Sequence, residues 1–317
     1  MGFDALLGNE TLKQRLSASF ENNRASHCYL ITGASGSGKR TLAKLLSAAM
    51  QCTQKNKPCC TCRQCRKVLD GAHPDIITVD DEERATVPIK LIRQACADLY
   101  IRPNEGNRKI YIFPRAQALR SEAQNALLKC IEEPPSYGVF IFLCEHAERM
   151  LPTVRSRCAE LRLSPLPEEI LRRELQKKFP DASRSLRGAM IRSGGYLGQA
   201  TALLEKPQEL LPQSEQLAKA FCAANSAQLL RLMASMEKMK RDQLKPIFTQ
   251  WYELLSSALS AQSGLPAICP QSEQIASART AASILAAVDA VRKAMILLEA
   301  NVGAAHICGA LAVELQA

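Results

Sequence analysis

A glycine-rich run between a predicted strand and a predicted helix constrains the fold of this chain most. Residues 33–39 follow the pattern G-x-x-x-x-G-K, directly after the apolar segment 27–31 and before a helical pattern that begins at Leu42. In this context the backbone N–H groups of the loop turn inward to hold phosphate oxygens, and the lysine reaches the outer phosphates of a nucleotide. The sequence therefore predicts a phosphate-binding loop in an α/β domain. A glycine-rich turn without a ligand is the alternative.

The candidate nucleotide-binding residues are those of the loop and the two positions after it: Gly33, Gly36, Gly38, Lys39, Arg40 and Thr41. Position 40 departs from the pattern, because a Ser or Thr hydroxyl there would bind Mg²⁺. A cation at this position repels the metal, and moving the hydroxyl by one residue rotates it by about 100° around the helix. We expect that the loop can still hold the phosphates of ATP or ADP, but with a degenerate magnesium site.

The sequence also lacks an acid where a nucleotide hydrolase needs one. An active phosphate-loop enzyme carries a carboxylate at the end of a later strand, where it holds Mg²⁺ and helps to orient water. The strand predicted at residues 110–113 is followed instead by Pro114 and Arg115. We therefore expect no ATP hydrolysis by this chain alone.

Three acidic residues, Asp80, Asp81 and Glu82, follow an earlier predicted strand. They lie in a polar, loop-like run, which we interpret as solvated charge. The alternative hypothesis is an active ATPase whose unconventional magnesium site combines Thr41 with Asp80 or Asp81.

Five of the thirteen cysteines crowd into one short segment. Cys59, Cys62 and Cys65 are each separated by two residues, and Cys52 lies upstream. Two-residue gaps let neighbouring thiolates converge on one Zn²⁺, which lowers their pKa values so that they bind deprotonated. The sequence predicts a structural zinc site formed by these four cysteines, with Cys60 as a possible substitute for Cys59. A redox-active dithiol is the alternative.

The composition restricts the class of protein. Hydrophobic residues make up 47% and charged residues 23%, as in folded globular proteins. No apolar run approaches the roughly 18 residues of a membrane span, and we expect a cytoplasmic protein without a membrane contact. The formal net charge of +10 permits contact with nucleic acid or with an acidic partner. A basic surface without any partner would have the same balance.

Strand and helix patterns alternate up to about residue 163 and give way to helices alone. This alternation predicts a parallel sheet with flanking helices. We expect an α/β domain at residues 1–163 with a zinc module at 52–65, a small helical domain at 164–205, and an all-α domain at 206–317. A linker around Pro207 separates the last two.

Two further patterns predict how helices begin and pack. Ser121 with Gln124 predicts a capping box at a helix start. Apolar residues that alternate four and three apart predict a seam that packs against other helices, either in the core of its own domain or against a partner: Ile284, Val288, Val291, Met295 and Leu298.

Several fragments together resemble the clamp-loader branch of the AAA+ superfamily. They are, in chain order, Arg24-x-x-His27-x-Tyr29-Leu30, the cysteine cluster, His73-Pro74-Asp75, Asn125-Ala126-Leu127-Leu128-Lys129, Ile131-Glu132-Glu133-Pro134-Pro135 and Ser156-Arg157-Cys158. The last two motifs are highly specific. The resemblance covers residues 3 to about 165 and continues more weakly to the end of the chain.

This resemblance implies a P-loop AAA+ domain, a helical lid and a helical collar that holds a five-subunit ring together. It gives the 284–298 seam a role in contacting partners. Motor subunits of the family keep Lys-Thr in the loop and Asp-Glu after the later strand, where this chain has Lys39-Arg40 and Pro114-Arg115. Residues 196–199 also lack the arginine of an active lid. The three departures resemble a subunit that does not hydrolyse ATP.

The resemblance further implies that Arg157 is an arginine finger, which acts in trans on the ATP site of a neighbouring subunit. The implied partners are the tau/gamma and delta subunits of the bacterial DNA polymerase III clamp loader, the sliding clamp and the backbone of primed DNA. From the residues alone, Arg157 could equally be a surface arginine, since Arg149 and Arg155 lie nearby. A stand-alone zinc and nucleotide-binding regulator is the remaining alternative.

Overall fold

A computed structural model describes residues 2–180, 183–205, 210–265, 267–300 and 302–315. The chain divides into two compact units, one of residues 1–180 with 193–202 and the other of residues 181–192 with 203–317. The three-part division expected from the sequence stays a prediction. Pro207 of its second linker lies outside the described residues.

The first unit is built on one parallel sheet. Its strands are β1 (Cys28–Thr32), β2 (Ile76–Thr78), β3 (Lys109–Phe113), β4 (Gly138–Cys144) and β5 (Ala159–Arg162). They pair in the order β2-β3-β4-β1-β5, and each pair is parallel. The predicted α/β fold class is thus confirmed. The edge strand β5 was not predicted, because Glu160 and Arg162 are exposed and leave Leu161 as its one buried apolar residue.

Helices flank the sheet and are the regular elements of the described residues after β5. The bounds in the first part are α1 (Glu10–Glu21), α2 (Lys39–Gln51), α3 (Arg63–Leu69), α4 (Ile89–Asp98), α5 (Ser121–Glu132), α6 (Pro152–Arg155) and α7 (Glu168–Lys178). Short 3₁₀ turns occur at Phe3–Ala5, Ala116–Ala118 and Ala147–Arg149. These helices and strands alternate along the chain, as a parallel sheet requires.

The remaining helices are α8 (Ser183–Arg192), α9 (Leu197–Glu205), α10 (Pro212–Cys222), α11 (Ser226–Met236), α12 (Arg241–Gln262), α13 (Pro270–Ala278), α14 (Ala281–Glu299) and α15 (Ala304–Glu314). Among the described helices, none combines the length and apolarity needed to cross a lipid bilayer.

Two apolar layers sandwich the sheet, and β4 contributes to both. Phe140 and Phe142 belong to one layer, whereas Ile141 and Leu143 belong to the other. Successive side chains of a strand point to opposite faces, so a strand buried on both faces has a continuous apolar sequence. The Phe113 and Phe142 rings stack with centroids 4.7 Å apart and fix the register of neighbouring strands in the first layer.

The second unit packs its helices around one apolar core, with Trp251 fully buried in it. The seam residues Ile284, Val288, Val291 and Leu298 are buried in this same core, with Met295 packed against it. The seam therefore fills its own unit. The partner contact expected of the seam is wrong for its four buried residues, because they have no surface left to offer a partner.

The capping box predicted at the start of α5 is also wrong. Ser121 is already the first residue of the helix, and no side chain caps it. Gln124 is buried and acts elsewhere, donating to the carbonyl oxygens of Leu119 and Arg149 and accepting from Leu151 N at 2.7 Å. It thereby ties α5 to the turn that begins α6.

Asp75 holds the loop that leads into β3. Its buried carboxylate accepts hydrogen bonds from the backbone N–H groups of Asn104, Glu105 and Gly106, at 2.5, 3.0 and 2.7 Å. Burial alone would raise the pKa of Asp75, but these three hydrogen bonds outweigh burial and hold the pKa below its usual range. The aspartate of the His73-Pro74-Asp75 motif therefore has a structural role.

We predict that Asp75→Asn destabilises the protein by about 2 kcal/mol, because an amide NH₂ would face backbone N–H donors. The pKa of Asp75 is lower folded than unfolded, so its contribution is complete above the unfolded pKa and lost as the pH falls through the folded pKa. Urea unfolding of both proteins at pH 7 and at acidic pH measures this. Asp70→Asn is the matched control, since Asp70 is exposed. A loss for Asp75→Asn no larger than for the control would contradict the prediction.

Candidate functional site

The glycine-rich loop lies at the carboxyl end of β1 and lines a cleft of about 720 Å³. Ser35 to Thr41 contribute to the lining, together with Arg115 from the end of β3 and Tyr196 to Gly198 from the start of α9. All belong to the first unit. The predicted loop residues thus meet at one edge of the sheet, where ligands of open α/β sheets bind.

Lys39 closes the loop on itself. Its Nζ donates hydrogen bonds to the carbonyl oxygens of Gly33 and Ala34, at 2.7 and 2.8 Å. Burial lowers the pKa of Lys39 below its usual range. Beside it, the hydroxyl of Ser37 is buried without a hydrogen-bond partner among the described residues. An orphaned donor next to a lysine fits the phosphate of a nucleotide, and Ser37 is a residue that the motif alone did not single out.

The start of α9 lies directly on the loop. Gly198 N donates to Gly36 O at 3.0 Å. A Cβ on Gly36, which has φ +71°, would come within 2.5 Å of Gln199 N. Only glycine at both positions permits this approach. The contact brings residues 196–199 to the phosphate loop, and no arginine is among them.

The two residues after the loop are turned toward solvent. Arg40 is exposed, and its Nη2 lies 3.8 Å from Glu82 Oε1. The Thr41 side chain is exposed as well. A guanidinium at position 40 places positive charge where Mg²⁺ would need an oxygen ligand.

Arg115 occupies the position after β3 and takes Asp80 as its partner. Nε of Arg115 lies 3.1 Å from Asp80 Oδ1, and Nη2 lies 2.8 Å from the same oxygen. The Asp80 side chain is only 6% exposed, so interpreting it as a solvated charge was wrong. The ion pair raises the pKa of Arg115 and engages Asp80, one of the two carboxylates that the alternative magnesium site could use.

The four predicted zinc ligands come together in the first unit. The Sγ atoms of Cys52, Cys59, Cys62 and Cys65 all lie within 4.8 Å of one another. Four thiolates at about 2.3 Å from one Zn²⁺ would be separated by about 3.8 Å, and the Cys59 and Cys65 sulfurs are 3.9 Å apart. The cluster could hold a metal ion such as zinc. Cys60 has a positive φ of 60° and is not part of the cluster.

Backbone donors favour ionisation at two of these thiols. Burial opposes it, but the backbone N–H groups of Thr61 and Cys62 lower the pKa of Cys59 to about 6. Burial also opposes ionisation of Cys62, but hydrogen bonds from Cys65 and from the backbone of Thr53 together lower the pKa of Cys62. Such N–H···S contacts are typical of the surroundings of a thiolate that binds a metal. A metal bound here would tie α3 to the end of α2.

Arg157 lies at the amino ends of the strands, opposite the phosphate loop, in the turn between α6 and β5. Its side chain is 39% exposed. The guanidinium contacts Glu132, with Nη2 2.7 Å from Oε1, and Nη1 donates to Thr153 O at 2.8 Å. The structure therefore separates Arg157 from the phosphate loop of its own chain.

We predict that Cys62→Ser and Cys65→Ser each remove about one bound zinc per chain and lower the melting temperature by roughly 5 °C or more. A serine hydroxyl cannot replace a thiolate ligand. Without the metal, α3 would lose its connection to the end of α2. Metal analysis and thermal unfolding measure both effects. Cys60→Ser is the matched control and should keep the metal. Equal zinc in all three variants and the parent would contradict the assignment.

Comparison with known proteins identifies the family. A sequence model described as DNA polymerase III, delta subunit, matches residues 8–167. The DNA polymerase III subunit delta' of Escherichia coli (strain K12) is 33% identical over 195 residues, which are 61% of this chain and 58% of the relative. Subunit gamma of Buchnera aphidicola from Schizaphis graminum is 31% identical over 169 residues, covering 53% of this chain and 46% of the relative.

Among solved structures, a gamma subunit-related protein of DNA polymerase III from Thermotoga maritima is 17% identical, with a TM-score of 0.47, and the match covers 95% of this chain and 98% of that one. The chain spans about half the length of the curated relatives it matches. The family model, which matches residues 8–167, extends over just more than half of the chain. The chain therefore belongs to the DNA polymerase III delta-subunit family, among its delta-prime clamp-loader members.

Proposed function

We propose that this chain is a non-hydrolysing subunit of the DNA polymerase III clamp loader and supplies Arg157 to the ATP site of a neighbouring subunit. One observation carries the first half of the proposal. Arg115 replaces the acid expected after β3 and binds Asp80, so the cleft has no carboxylate free at that place for Mg²⁺ and water. Arg40 adds a second positive charge beside the loop.

The topology supports the second half, which is that Arg157 acts in trans. The phosphate loop follows the carboxyl end of β1, whereas Arg157 precedes the amino end of the neighbouring strand β5. The strands are parallel, so the two sites lie at opposite edges of the sheet, separated by the length of a five-residue strand, or about 16 Å. An arginine side chain cannot span that distance. This separation supports a role for Arg157 at a site outside its own chain.

An arginine offered to a neighbour has a clear chemical use. Negative charge spreads over the γ-phosphoryl oxygens in the transition state, and a guanidinium hydrogen-bonded to those oxygens stabilises it. Because the donor belongs to another subunit, hydrolysis becomes fast only when the ring is assembled. In this proposal the tau/gamma subunits bind and hydrolyse ATP, and this chain completes one of their sites.

The wider proposal follows the family. The assembled loader, with tau/gamma and delta subunits, uses ATP to open the sliding clamp and place it on primed DNA in the cytoplasm. The net charge of +10 favours sequence-independent contacts between this chain and the DNA backbone. Zinc in the cysteine cluster would be structural, since four thiolates leave no coordination position for a substrate. ATP or ADP in this chain's own loop is not required.

We predict that Arg157→Ala leaves folding and assembly intact but slows hydrolysis at the one site that Arg157 completes by about 10³-fold or more. ATP turnover by the reconstituted loader, in the presence of clamp and primed DNA, measures this.

Arg155→Ala is the matched control, because Arg155 lies two residues away and its side chain is 34% exposed, close to the 39% of Arg157. Turnover equal to that of the control in a correctly assembled ring would refute the proposed role of Arg157.

A further inference from the structure

The structure assigns a positioning role to Glu132: we propose that its carboxylate orients the guanidinium of Arg157 for the neighbouring ATP site. This inference rests on the proposed function of Arg157 and adds a residue to it. Glu132 belongs to the Ile131-Glu132-Glu133-Pro134-Pro135 motif, to which the function described so far gives no task.

Three oxygens of its own chain hold the Arg157 guanidinium at one end. Nη2 lies 2.7 Å from Glu132 Oε1. Nη1 donates to Thr153 O at 2.8 Å and to Ser156 Oγ at 3.2 Å. Nε has no hydrogen-bond partner among the described residues. The guanidinium is thus fixed through its Nη groups, and none of these contacts uses Nε.

The backbone segments that carry Glu132 and Arg157 both contact the amino end of β1. Next to Glu132, Ile131 O accepts a hydrogen bond from His27 Nε2 at 2.9 Å. Next to Arg157, the thiol of Cys158 lies 2.8 Å from the thiol of Cys28. His27 and Cys28 are consecutive residues, so one point of the sheet anchors both sides of the ion pair.

Burial makes these anchors rigid. Ile131 and Cys28 are fully buried, and Cys158 Sγ also donates to Val154 O at 3.2 Å. Pro134 and Pro135 follow the C-cap residue of α5 and restrict the chain further. Three separate motifs of the sequence, around His27, Glu132 and Cys158, therefore form one platform beneath Arg157.

A fixed guanidinium matters because arginine loses much side-chain freedom when it is held in one geometry. An arginine that is already oriented in the free subunit loses less on assembly, so more of its interaction stabilises the transition state. The ion pair is half-exposed and contributes little to folding. The ion pair instead orients the Arg157 guanidinium, and this effect is measurable only through the activity that depends on Arg157.

The test compares Glu132→Gln with Glu133→Gln in the reconstituted loader. Both substitutions remove one negative charge, and Glu133 is exposed and forms no ion pair among the described residues. Part of kcat depends on Arg157 and is lost in the Arg157→Ala variant. We expect Glu132→Gln to lower this Arg157-dependent part by about threefold and to leave KM for ATP unchanged. Glu133→Gln should match the parent, and Glu132→Asp should recover part of the loss.

A double variant separates positioning from a structural effect. In the Arg157→Ala background, Glu132→Gln should have no further effect, because nothing is left to orient. An effect that persists in that background would overturn the inference, as would a Glu132→Gln rate equal to that of Glu133→Gln. A rate above the parent would also overturn it, since Glu132 would then restrain Arg157. If Arg157→Ala itself changes nothing, the proposed function fails, which is a distinguishable result.

Discussion

Strand β1 is the element on which the two halves of the site depend. It pairs with β4 on one side and with β5 on the other, and all five of its residues are buried. Its carboxyl end delivers the chain into the phosphate loop, and its amino end anchors the segments that carry Glu132 and Arg157. A strand inside a parallel sheet cannot shift without moving both neighbours. It therefore keeps a fixed separation between a cleft at one edge and an arginine at the other.

The charge arrangement beside the phosphate loop disfavours a bound magnesium ion. The glycines and Lys39 keep the form of a phosphate-binding loop. The start of α9 packs against this loop through the close contact of Gly36 with Gly198. Arginine occupies position 40, where a metal ligand is expected, and position 115, where a carboxylate is expected. The Arg115 guanidinium is bound to Asp80, whereas that of Arg40 is exposed. Replacing Arg115 to rebuild a magnesium site would leave the largely buried Asp80 carboxylate without its partner, which is costly. The departures from an active site support one another.

The sequence predicted most of the first unit because its constraints are local. The glycine spacing, the cysteine spacing and the continuous apolar strands each follow from neighbouring residues. What failed depends on residues far apart in the chain: Asp80 is bound by a partner 35 residues away, and Gln124 serves the turn before α6 rather than its own helix. The apolar spacing in α14 correctly predicted a helix face that packs, but periodicity does not say which surface it packs against. Strand β5 has too little apolar sequence to be recognised.

The most direct test of the central claim is steady-state ATP hydrolysis by the purified chain alone, with Mg²⁺ present. We predict no turnover above that of a Lys39→Ala variant, because the cleft has neither a metal ligand at position 40 nor a carboxylate at position 115. Turnover that disappears in the Lys39→Ala variant would show that this chain is itself a motor, and would contradict the account.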